Sequence, residues 1–113
     1  MLVISNFKKG DVITVKLSTG EELVSRFESS NSDELKLVKP TVLTLNPQNG
    51  QAMLIAWLMS IDAHNSEPVS VKGSQIVATA RTIKSLADSY IQSTSGIAPA
   101  SSLGGLTESL ILS

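Results

Sequence analysis

Short runs of alternating residues, each closed by a turn-forming cluster, dominate the first half of this chain and leave it few folds to adopt. In "VITVKL", Ile13, Val15 and Leu17 fall on one side and Val12, Thr14 and Lys16 on the other. "ELVSRF" sets Leu23, Ser25 and Phe27 against Val24 and Arg26. A third run, "LKLVK", reaches Pro40 and resumes as "TVLTL". Period-two alternation of β-branched residues is the mark of a half-buried strand. The clusters between the runs suit reversals: Gly20 in "STGEE" takes the positive φ that a hairpin asks for. "ESSNSDE" and "NPQNG" are rich in residues that bond locally to backbone. Pro40 has no N–H to give a ladder, so a bend, a bulge or an exposed edge is expected there.

The second half changes character twice. "QAMLIAWLMSID" is nearly continuous in apolar residues and reads as a fourth strand, buried on both faces. After the loop "AHNSEP" comes a last strand, "VSVKGSQIVATA". From Thr79 the period lengthens: Ile83, Leu86, Ala87, Tyr90 and Ile91 recur on one helical face, which predicts an amphipathic helix over residues 79–93. "STSGIAPASSLGG" reads as a linker and "LTESLILS" as an apolar tail. Residues 1–95 are thus expected to form a single domain, and 96–113 a flexible linker and tail. Five short strands and then a helix in 113 residues point to a mainly β fold, a small, strongly bent barrel of the OB, SH3 or Sm kind.

Composition narrows the chemistry. With no cysteine there is neither a disulfide framework nor a thiolate site, which suits a cytoplasmic protein. The longest apolar run is far shorter than the roughly 20 residues that span a bilayer. A net charge of −1 gives no bulk attraction to nucleic acid, so any such binding needs a local cluster, or one made by repeating a subunit around an axis. His64 is the sole histidine, and Asp62-x-His64 is too sparse for a metal site. No phosphate loop, nucleophile elbow or matched acid pair stands out, so neither an enzyme nor a cofactor is expected.

Two stretches carry a family resemblance. "GDVITVKLSTGEELVSRFES" resembles the opening of Sm-like (LSm, Hfq-type) proteins, a ring-forming RNA-binding family, with Thr19-Gly20 as its turn and Ser25 at a place usually held by glycine. "VKGSQIV" is similar to the family's second motif, with Lys72, Gly73, Ser74, Gln75 and Ile76 matching in order and lysine replacing arginine. The first motif departs: "NSDEL" at 31–35 is about a residue longer than the family pattern and has no asparagine at the base-binding place. The short chain and unusual spacing suit a phage-encoded relative.

The resemblance implies a ring of about five to seven subunits that binds single-stranded RNA or DNA in processing or chaperoning. In the family, the fourth strand of one subunit pairs with the fifth of the next, here "AMLIAWLM" with "SQIVATA". It also implies a site made of Lys72, Gly73 and Ser74 with Asn31, Ser32 and Lys36. In that site the glycine allows close approach, and the lysine brings a charge and an aliphatic stem. Asp33 and Glu34 would oppose phosphate there. Each of these residues also has a plainer reading, as turn or solvated face. The low net charge, the missing asparagine and the apolar tail support a rival, a structural or adaptor protein that uses the same barrel for protein–protein assembly.

Overall fold

A computed structural model describes residues 6–61 and 66–94. Strands β1 (Val12–Leu17), β2 (Glu22–Ser30), β3 (Glu34–Leu45), β4 (Ala52–Ala56), β5 (Val69–Lys72) and β6 (Ile76–Arg81) are followed by helix α1 (Lys84–Thr94). The order β4-β3-β2-β1-β6 is antiparallel throughout, and β5 pairs with the first half of β3 while β4 pairs with the second. Because β5 pairs beside β3, off this path, yet is joined by the single 3₁₀ turn Gly73–Gln75 to β6 at the path's far end, the sheet must curl back on itself. The chain forms the expected mainly β, strongly bent barrel with a C-terminal helix. Among the described residues no helix is long and apolar enough to cross a membrane.

The predicted alternation sets the core. Ile13, Val15 and Leu17 of β1 turn inward with Leu23 and Phe27 of β2, Leu35 and Leu37 of β3, and Val71 of β5. Phe7, Val42, Trp57 and Ile76 pack against this cluster. Pro40 does mark a bulge. The β2–β3 register slips between Val24 and Arg26, and Lys39 takes a φ of 53°, a left-handed conformation that a lysine seldom adopts.

Ser25 is fully buried at this slip and donates to the Val38 carbonyl (2.8 Å). The buried Tyr90 hydroxyl lies 2.8 Å from both the Val38 and Lys39 carbonyls and accepts from the Arg26 N–H (3.1 Å). Lys39 Nζ donates to the Thr94 carbonyl at the C-terminal end of α1 (2.8 Å). The bulge is therefore where the helix is fastened. Burial pushes the Tyr90 hydroxyl above the ordinary phenol range, because the phenolate would lie among backbone groups with little solvent.

Three expectations change. The last predicted strand is two, because residues 73–75 turn a corner between β5 and β6, and this makes six strands rather than five. The helix starts at Lys84, not Thr79, because Thr79, Ala80 and Arg81 still pair with Val15, Thr14 and Ile13 of β1. Of its expected buried face only Tyr90 is fully buried, and Ile83 is 69% exposed. The fourth strand covers only 52–56 and is not buried on both faces, since Met53 and Ile55 are exposed. β4 and β6 are the edge strands of the path, each paired on one side, and Val77 of β6 is exposed as well.

The N-terminal approach to β1 is held by Asp11. It accepts from the Lys8 backbone N–H (2.8 Å) and from Arg81 (2.9 Å), whose guanidinium also lies over the Phe7 ring. The Lys8 amide and then the Arg81 cation hold the Asp11 carboxyl below its usual range.

Candidate nucleic-acid interface

The corner between β5 and β6 is built on backbone. Lys72 is extended, Gly73–Gln75 make one 3₁₀ turn, and the Ile76 N–H returns to the Gly73 carbonyl. Gly73 itself has no positive φ, unlike Gly10, Gly20 and Gly50. What Gly73 does is donate its N–H to the Asp33 carbonyl at 2.7 Å, tying the corner to the β2–β3 loop. On the other side the Ser18 N–H donates to the Gln75 carbonyl (2.7 Å) and the Ser18 hydroxyl to its side-chain oxygen (2.8 Å). Loops remote in sequence are thus brought together by short hydrogen bonds.

The β2–β3 loop is closed by its own asparagine. Asn31 Oδ1 accepts from the Asp33 and Glu34 N–H groups (2.8 and 2.9 Å), the pattern by which asparagine closes a turn on its own backbone. Glu34 then opens β3 directly opposite Lys72. Between loop and corner lies an open cleft of about 590 Å³, lined by Ser32, Asp33, Glu34, Lys72, Gly73 and Ser74 among others.

Four of the six sequence-derived site residues therefore share one cleft: Ser32, Lys72, Gly73 and Ser74. Asn31 belongs to the loop but does not line the cleft, and its amide oxygen is engaged in the turn. Lys36 sits two register steps along β3, opposite Ser70, half-buried and outside the lining. Lys39, three residues further along β3, reaches to the end of α1. Lys9 pairs with Glu28 (3.3 Å).

Asp33 and Glu34 were legible as nearby charges. That Glu34 stands across from Lys72 was not, because only the β3–β5 register reveals it. Glu34 accepts the Ser70 hydroxyl (3.0 Å), and the Lys72 ammonium makes no ion pair among the described residues. His64 and Asp62 lie outside the described residues, and among those described no three potential metal-ligating side chains come together.

No protein-family model matches the sequence, and no curated protein matches it. Among solved structures the chain is similar to a heptameric archaeal Sm protein. The identity is 14%, 66% of this chain and 88% of that one are covered, and the TM-score is 0.43. The chemistry of the cleft accordingly rests on its own residues. It offers one free ammonium, two hydroxyls and two carboxylates, a set suited to polar recognition.

Proposed function

We propose that this protein is a ring-forming barrel that binds single-stranded nucleic acid, RNA first, through the Lys72 corner. The observation that carries the reading is convergence. Residues 32–34 and 72–74, from the two stretches nearest the motifs that the sequence resembles, line one cleft and are joined by the Gly73–Asp33 hydrogen bond of 2.7 Å. Lys72 supplies a cation with no ion-pair partner among the described residues. One such contact is weak, but copies arranged around an axis act together, because each later contact is intramolecular. The edges of β4 and β6 support that arrangement. They expose Met53, Ile55 and Val77, and a strand edge of that kind is satisfied by pairing with another copy.

Binding of labelled oligo-U, oligo-A, a guanosine-containing RNA and single-stranded DNA at two salt concentrations tests this reading. Micromolar or tighter binding that weakens with salt is expected. Absence of binding by an intact ring would overturn it. The two carboxylates beside Lys72 favour a second reading, an assembly protein whose barrel contacts other proteins, and that same negative result would select it.

A further inference from the structure

This inference rests on the cleft being a nucleic-acid site and concerns the base it accepts. Glu34 and Lys72 are register partners across β3 and β5, so their side chains leave the same face of the sheet as neighbours. They nevertheless form no ion pair. Glu34 takes the Ser70 hydroxyl on Oε1, which leaves acceptor capacity on the carboxylate, and Lys72 keeps its donors. Asp33 adds a second, exposed carboxylate to the lining. The amide oxygen of Asn31 is already committed to two backbone N–H groups, so that side chain lacks the free donor–acceptor pair with which an amide reads a base.

We infer that the cleft selects guanine over uracil. The Watson–Crick edge of guanine presents the O6 acceptor next to two adjacent donors, N1–H and N2–H₂. A carboxylate accepts on both oxygens and takes the two donors in parallel, and an ammonium beside it donates to O6. Uracil has a single donor, N3–H, flanked by two carbonyl oxygens that a carboxylate repels. The two carboxylates read base edges, and the salt-dependent part of binding rests on the Lys72 ammonium beside them.

The test is fluorescence anisotropy on the full chain, using an oligo-A RNA that carries guanosine, inosine or uridine at the same positions. Guanosine is expected to bind about tenfold tighter than uridine. Inosine lacks only the N2 amino group, so it should lose about threefold or more against guanosine. Glu34→Gln keeps an acceptor for Ser70 but replaces the second carboxylate oxygen with a donor. It should bring guanosine and uridine strands to within about twofold of each other. Should that variant fail to fold, the inosine comparison on the unaltered chain still decides. Uridine binding as tightly as guanosine, or inosine matching guanosine, would overturn the base preference while leaving the nucleic-acid reading in place. No binding of any strand would remove that reading and the preference with it.

Discussion

Tyr90 and Lys72 show how much one side chain carries in a barrel this small. The Tyr90 hydroxyl joins the helix to three backbone groups at the β3 bulge, so Tyr90→Phe strips a buried partner from them. A loss of about 1–3 kcal/mol in chemical denaturation is expected. Since burial raises the tyrosine's pKa in the folded chain, the native state holds that proton more tightly than the unfolded one. The associated stability is intact below the ordinary phenol value of 10.0 and falls as pH climbs beyond it, a fall that Tyr90→Phe should flatten. At Lys72, substitution by alanine should weaken single-strand binding several-fold and make it less sensitive to salt. Lys72→Arg should hold or raise affinity, because the guanidinium fork donates to two acceptors at once. Equal affinity for all three chains would make the corner only a turn. Of these roles the sequence displayed Lys72 and Gly73, but not Tyr90's, which depends on a helix returning to a bulge more than fifty positions earlier.

Among the elements, β1 to β3 were legible because a single period fixes both their conformation and their buried face, and Pro40 announced its bulge by lacking a donor. The corner at 73–75 was not, since Lys72-Gly73-Ser74-Gln75 is locally as compatible with a continuous strand as with a 3₁₀ turn. The helix start was hidden similarly: Thr79–Arg81 suits either element, and the open edge of β1 decides by offering hydrogen bonds. The true start leaves Ile83 as the last residue before α1, its carbonyl accepting from the Ala87 N–H (2.9 Å). An exposed isoleucine cannot cap the free N–H groups there. Ile83→Asp should stabilise the fold by about 0.5–1.5 kcal/mol through the cap and the helix dipole, measured by thermal unfolding. No gain would place Ile83 in a contact beyond the protomer.

For the molecule as a whole, the apolar run at 52–59 is where sequence and protomer disagree, and the disagreement is informative. Its composition reads as buried, but Ile55 is 45% exposed at the sheet edge, so its burial requires something outside the protomer. Ile55→Lys should barely alter protomer unfolding yet weaken self-association at least about tenfold, because the charge would be buried in a paired edge. Native mass spectrometry of the unaltered chain, with a short single-stranded RNA present, tests the central claim in one measurement. A closed species of about five to seven copies carrying RNA is the result expected. A protomer-mass species alone, or a ring that never carries RNA, would contradict it.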